Sequence, residues 1–298
     1  MIDQIEKKPI YHYRPGSKLL SIGTFGCNLD CDCCQNAALA SSGPEGRAEL
    51  VTSPEEIVSF AVQKGAQGIA FTFNEPVVWS EFIIDVARSA KGRGLYIMMN
   101  SNGYVEVEPL TELLEEVDVF KVDVKGFTDE FYRNSCGGTL FPVLRTCHMI
   151  KEKGKHLELA YLIIPGMNDS KEEIEGFFRW TAELGRDVPV HLYRFMPAHR
   201  LSHIRSTGMG AMRDAKAVAA SHGLRFVYLS GMVEGDEHQT LCPNCGALVI
   251  SRAAKDAPEK VVYEGTRLSK FCPSYSEIED RTIEGRCASC GEFIYKYP

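Results

Sequence analysis

Residues 18–36 read KLLSIGTFGCNLDCDCCQN. The first six, Lys18 to Gly23 (KLLSIG), form the short apolar run of a buried strand. That run passes directly into a loop flanked by glycines and carrying Cys27, Cys31, Cys33 and Cys34. In α/β proteins, loops at the carboxyl ends of strands carry the chemistry, so this junction sets the expected architecture.

Outward from this stretch, strands and helices alternate. Ser53-Pro54-Glu55-Glu56 combines an N-cap, a proline at the first helical position and a capping box. A helix to about Lys64 is predicted, with Gly65 ending it. Strands are predicted at 68–73, 95–99, 119–124, 157–164, 190–195 and 225–229. Between them lie helical patterns at 78–91, 109–116, 140–153, 170–184 and 209–222. A run of β-then-α units implies a parallel sheet covered on both faces. The predicted fold class is α/β, closing as a partial (β/α) barrel over residues 1–230. Near Gly231 the pattern gives way to cysteine pairs and turns, so 231–298 is predicted to be a small Cys-rich, zinc-ribbon-like module.

The 298 residues are 44% apolar and 24% charged, an ordinary balance for a chain that buries a core. A formal net charge of −7 argues against a nucleic-acid binder, which usually carries a basic excess. No apolar run is long enough for a membrane span, and Met1–Lys8 lacks the apolar core of a secretory signal. A cytoplasmic location is the expectation. The eleven cysteines cluster, four between 27 and 34 and five between 242 and 290. In a reducing compartment, clustered cysteines more often bind metal than form disulfides. Cys136 and Cys147 stand apart and read as buried free thiols.

Two Cys-x2-Cys pairs, Cys242/Cys245 and Cys287/Cys290, each precede a glycine. They form a candidate four-thiolate tetrahedral site, with zinc preferred over iron. Cys272 lies between them, a spectator or a fifth thiolate. The module is expected to cover the barrel mouth or grip a protein partner.

Cys27, Cys31 and Cys34 have the spacing Cys-x3-Cys-x2-Cys. Three thiolates on one tight loop can hold three irons of a 4Fe–4S cubane and leave the fourth iron open. An amine and a carboxylate of one small molecule, such as S-adenosylmethionine, can chelate it. The alternative for these residues is a structural zinc knuckle. The stretches YHYRPGSKLLSIGTFGCNLDC (11–31), FNEP (73–76), SNGY (101–104), DVK (123–125), IIPGMNDS (163–170) and LYRFMPAHRL (192–201), with the closing Cys pairs, carry a resemblance. Together they resemble the radical S-adenosylmethionine superfamily, in the pyruvate formate-lyase activating enzyme-like branch found in the AmmeMemoRadiSam system. One departure is Cys33, where the family usually has an aromatic residue; it is a spectator or a competing ligand.

The resemblance implies roles for motifs that also have ordinary readings. Asn74 and Glu75 would meet the ammonium of S-adenosylmethionine, or else form a strand-end turn. Asn100 and Asn102 would approach its ribose or methionine part, or else form an Asn-Gly turn. Asp123 and Lys125 share a strand face, and Lys125 would neutralise the carboxylate; otherwise they are a strand-end ion pair. His191 is a candidate ribose contact or a core histidine. No side chain is singled out as a catalytic acid or base. The implied activity is an oxidoreductase that cleaves S-adenosylmethionine reductively to a 5′-deoxyadenosyl radical. That radical would abstract hydrogen from a substrate, which by resemblance is a protein glycyl site. The rivals are a small molecule or another protein side chain as substrate, or a non-catalytic Cys-rich metal-binding protein. An electron donor such as flavodoxin or ferredoxin is the implied partner.

Overall fold

The structure is a computed structural model describing residues 1–41, 43, 52–230, 237–254 and 275–297. Cys272 lies outside the described residues, and the expected boundary at 230/231 falls where a stretch of them ends. The chain divides into two compact units. The first comprises Met1–Asp3, Ser17–Leu157 and Ala198–His203, and the second Gln4–Gly16, Glu158–Pro197 and Ile204–Pro298. No helix among the described residues is long and apolar enough to cross a membrane.

The first unit carries β1 (Ile2–Gln4), β2 (Lys18–Ile22), β3 (Gly68–Phe71), β4 (Tyr96–Ser101) and β5 (Val119–Val124). β2 to β5 pair in sequence order, all parallel. Helices Pro54–Gln63, Ser80–Ala90 and Val107–Glu116 make the crossovers. The helix at Pro54 starts as its sequence dictates: the Ser53 side chain accepts from the Glu56 amide, and the Glu56 carboxylate accepts from the Ser53 amide. Leu19, Ile69, Phe71, Met98 and Val122 are fully buried, as parallel strands covered on both faces require. β4 runs two residues beyond its predicted end, because Asn100 and Ser101 continue the pairing opposite Lys121 and Val122.

The second unit carries β6 (His156–Ile163, from Glu158 onward), β7 (Val190–Arg194) and β8 (Val227–Ser230), again parallel neighbours. Helices Lys171–Gly185 and Met209–Ser221 connect them. The Cys-rich region adds an antiparallel sheet of Thr240–Leu241, Leu248–Ala254 and Tyr275–Asp280. Its core of Cys242, Val249, Ile250, Tyr275, Cys287, Ile294 and Tyr295 packs on Tyr11, Phe226 and Tyr228. Phe226 just precedes β8, and Tyr228 is its second residue. The module therefore packs at the amino end of β8. The reason is hydrophobic: the aromatic face it buries is located there.

A buried polar network supports that packing. The Glu158 carboxylate accepts the backbone amides of Tyr11 and His12 at 2.9 and 2.7 Å, and His191 Nε2 lies 2.6 Å from it. Arg252, fully buried, donates to the carbonyls of Tyr11 and His238 and to Thr240 Oγ1, each at 2.9 Å. Its guanidinium also stacks 4.0 Å from the centre of the Tyr11 ring. His191 is therefore a core histidine held by Glu158 and Ser230, the second of the two readings the sequence left open.

Candidate functional site

The cysteine loop leaves the end of β2 at Gly23. A β-carbon there would stand 2.4 Å from the Thr72 carbonyl oxygen, so only glycine lets the loop pass the end of β3. Asn74 fastens the same crossing. Its Oδ1 accepts the Thr24 amide at 2.9 Å, and its Nδ2 donates to the carbonyls of Gly26 and Glu75. Phe73 just before it holds a left-handed backbone at φ 80, a strained conformation of the kind that gathers at functional sites.

Cys31 is buried, and Cys27 and Cys34 are partly exposed. A turn closes between the last two, Cys34 N donating to Cys31 O at 3.1 Å. Cys27 Sγ accepts from the Leu29 amide at 3.5 Å and from Asn102 Nδ2 at 3.7 Å. Donors aimed at a sulfur suit a thiolate ligand rather than an apolar thiol. Burial pushes the Cys27 thiol up to about 11, so any metal bound there would have to displace its proton. The donor set thus fits a group held by three thiolates. Cys33, between the second and third cysteines, is buried, and burial pushes its thiol up to about 12.

The ends of β3, β4 and β5 bring the polar candidates together in two sets. In one, the Glu75 carboxylate accepts from Ser101 Oγ at 2.6 Å, the Asn102 amide at 2.7 Å and the Val77 amide at 3.1 Å. Burial still pushes its pKa up to about 7, against the pull of those bonds. Three of roughly four acceptor positions are thus taken by the protein itself. Asn102 extends the set through Nδ2 to Asn28 Oδ1 at 2.8 Å and through Oδ1 to the Tyr104 amide at 2.8 Å.

In the other set, Lys121 Nζ donates to Asn100 Oδ1 at 3.1 Å and to Asp123 Oδ1 at 2.7 Å. Lys125 Nζ donates to Asp123 Oδ2 at 3.0 Å. Burial works against the Asp123 charge, but the two ammoniums outweigh it and hold the carboxyl below its usual range. Lys121 is a residue that the sequence reading passed over. It shares the face of Asp123 and Lys125 by simple alternation, so the signal was present.

In the second unit, Cys242, Cys245, Cys287 and Cys290 bring their sulfurs within 4.8 Å of one another. Cys242 Sγ and Cys290 Sγ are 3.6 Å apart, and Cys245 Sγ and Cys287 Sγ 3.7 Å. Thiolates bound tetrahedrally at about 2.3 Å stand roughly 3.8 Å apart, so the spacing fits one ion. Each pair forms a knuckle in which a glycine amide donates to the first cysteine's carbonyl, Gly246 to Cys242 and Gly291 to Cys287. Both glycines hold left-handed φ, at 72 and 76. Among the described residues, this is the one group of three or more candidate ligand atoms drawn so close.

Residues 21–180 match the Radical SAM superfamily. The chain is 36% identical to an uncharacterized protein of Methanocaldococcus jannaschii over 93% of its own length and 83% of that protein's. It is 23% identical to the pyruvate formate-lyase 1-activating enzyme of Escherichia coli K12, over 72% of this chain and 88% of that one. It is also 26% identical to the isethionate sulfite-lyase activating enzyme of Oleidesulfovibrio alaskensis, over 59% of this chain and 56% of that one. Among solved structures, it resembles a radical SAM methyltransferase from Sphaerobacter thermophilus with a TM-score of 0.56 and 16% identity, covering 73% and 68% of the two chains. It resembles Streptococcus suis SuiB bound to S-adenosylmethionine with a TM-score of 0.54 and 12% identity, over 68% of this chain and about half, 47%, of SuiB. The α/β architecture with parallel strands read from the alternation is the fold these structures share. With its cysteine loop at the end of β2 and a family match over more than half of its length, this chain belongs to the Radical SAM superfamily.

Proposed function

We propose that this chain is an activating-enzyme-type radical S-adenosylmethionine oxidoreductase whose substrate is a protein glycyl site. The observation that carries the reading is the convergence of Cys27, Glu75, Asn102, Asp123 and Lys125 at the carboxyl ends of neighbouring strands, with Asn102 Nδ2 on Cys27 Sγ. Cys27, Cys31 and Cys34 would hold a 4Fe–4S cluster. Asn74, Glu75, Asn100, Asn102, Asp123 and Lys125 would form the S-adenosylmethionine pocket. When bound, the cluster and S-adenosylmethionine supply one-electron cleavage of the sulfonium and a 5′-deoxyadenosyl radical that takes hydrogen from the substrate.

The chain's own part is positioning. The Lys125 ammonium, fixed by Asp123, neutralises the methionine carboxylate of the ligand. Glu75 has one acceptor position left for the ligand's ammonium and spends the others on orienting Asn102. Two relatives are named as activating enzymes, which supports a protein substrate. A low-potential donor such as flavodoxin or ferredoxin would reduce the cluster in the cytoplasm. Residues 1–230 would carry the chemistry, and 231–298 would hold one structural zinc ion on Cys242, Cys245, Cys287 and Cys290.

The test is anaerobic reconstitution followed by dithionite. A brown protein that forms 5′-deoxyadenosine is expected. Deuterium should pass into that product from a partner protein labelled at glycine. A colourless protein that binds only zinc and forms no 5′-deoxyadenosine overturns the reading.

A further inference from the structure

The turn after β7, residues 196–201 (MPAHRL), has no part in the function proposed above. Its tip, Ala198–His203, belongs to the first unit, where it seats Arg200 on the cysteine loop. Arg200 Nη2 donates to both carboxylate oxygens of Asp30, at 2.9 and 2.7 Å. Nη1 donates to the Asp30 carbonyl at 3.2 Å and to Asp32 Oδ1 at 3.1 Å. The Arg200 backbone amide donates to the Asp32 carbonyl at 3.2 Å. Asp30 and Asp32 are the two neighbours of Cys31. Their own amides are held from another element, by the carbonyls of Cys136 and Ser135, each at 2.9 Å. His199, just before the arginine, holds a left-handed φ of 45, an unfavourable conformation for a residue with a side chain.

We propose that Arg200 is a positioning residue for the cysteine loop, fixing Cys31 through Asp30 and Asp32 and balancing the charge of that acid pair beside the cluster. This rests on the reading that Cys27, Cys31 and Cys34 hold a 4Fe–4S cluster. Two physical arguments support it. First, a loop that must present three ligands loses conformational freedom when it binds, and a clamp already in place reduces that cost. The planar guanidinium is suited to this, because it meets a carboxylate with two parallel bonds. Second, two carboxylates next to a cluster oppose the addition of an electron, and a cation between them offsets that repulsion. Cluster potentials respond to such local charge. The Arg200 and Asp30 side chains are 48% and 65% exposed, so water and salt keep the effect modest.

The experiment compares wild type with Arg200→Gln, Arg200→Lys and the double variant Arg200→Gln/Asp30→Asn. In protein whose cysteine loop has not been loaded with a cluster and whose zinc is retained, amide hydrogen exchange across residues 28–34 is expected to rise about threefold in Arg200→Gln, with β2 to β5 unchanged. In reconstituted protein, the cluster midpoint potential should move negative in Arg200→Gln and return toward wild type in the double variant, where an acid is lost with the base. Arg200→Lys keeps the charge but loses the fork, so it should keep the potential and lose the exchange protection. Loop exchange that does not change in Arg200→Gln, or a potential that does not move, overturns the proposal. If Arg200→Gln does not fold, Asp30→Ala opens the clamp from the other side: loop exchange should rise, and unchanged exchange overturns the proposal. A wild-type protein that takes up no cluster counts against the function proposed above, while the exchange measurement still decides the clamp.

Discussion

Three cysteines on one loop of the first unit and four on two knuckles of the second differ in what surrounds their sulfurs. Around the loop are amide and charged groups at strand ends: Asn102 on Cys27 Sγ, Glu75 behind Asn102, and Arg200 on the flanks of Cys31. Of the knuckle cysteines, Cys242 and Cys287 lie inside one apolar and aromatic core with Tyr11, Phe226 and Tyr295, while Cys245 and Cys290 face solvent. The four knuckle sulfurs converge within 4.8 Å, the dimensions of a single tetrahedral ion. Four thiolates leave such an ion no vacancy, whereas three leave a cubane one iron for a small molecule. Ligand count and the polarity of the neighbours are thus the two features in which the cysteine sets differ.

The sharpest break in this comparison comes from Cys27→Ala. It is expected to abolish 5′-deoxyadenosine formation while zinc content, measured by elemental analysis, stays at the wild-type level. Zinc lost along with activity would mean the two sets are not independent. The reverse variant, Cys242→Ala/Cys287→Ala, should lose zinc and cost about 5 kcal/mol or more, because metal binding to such a site is folding free energy. Urea unfolding measures it, and an unchanged midpoint would remove the structural role.

Arg252→Met tests whether the module and the strands beneath it fold as one core. It leaves the Tyr11 and His238 carbonyls and Thr240 without their buried cationic partner, at an expected cost of about 3–5 kcal/mol in the same assay. At the end of β5, Lys121→Met removes one of the two ammoniums on Asp123. S-adenosylmethionine affinity, read by isothermal titration, is expected to fall roughly tenfold, as losing one charged hydrogen bond implies. Equal affinity would show that Lys125 alone suffices.

The smallest effect concerns Glu6, fully buried in the second unit, where its Oε1 accepts the Gly16 amide at 2.8 Å. Burial pushes its pKa up to about 7, with Arg252 pulling the other way. The folded state then holds a proton that the unfolded state releases between its lower carboxyl value and about 7. Stability therefore falls as pH rises through that window. Glu6→Gln should flatten that slope in urea titrations across the window. A slope equal to wild type would place the titration elsewhere.

The strand-end placement of the polar candidates was legible because it rests on short-range patterns. Asn74, Glu75, Asn100, Asn102, Asp123 and Lys125 all stand at or just beyond the ends of β3, β4 and β5. Lys121 was equally legible from alternation but carried no motif to mark it. A lone histidine has no local signature, so His191 stayed open between a ribose contact and a core residue. Its partner Glu158 lies 33 residues away and reveals itself only once β6 and β7 pair.

By itself the sequence determined the elements and the ligand spacings: helix caps at Ser53 and Ser170, parallel strands from apolar runs, three cysteines on one loop and two glycine-backed knuckles. These rest on interactions within a few residues, which local chemistry dictates. Only the tertiary structure decided which polar groups meet. Arg200 reaches Asp30 across 170 residues, Tyr11 reaches Glu158 across 147, and Cys242 meets Cys290 across 48. Such contacts depend on strand register and on which surfaces bury together, and no local propensity encodes that choice.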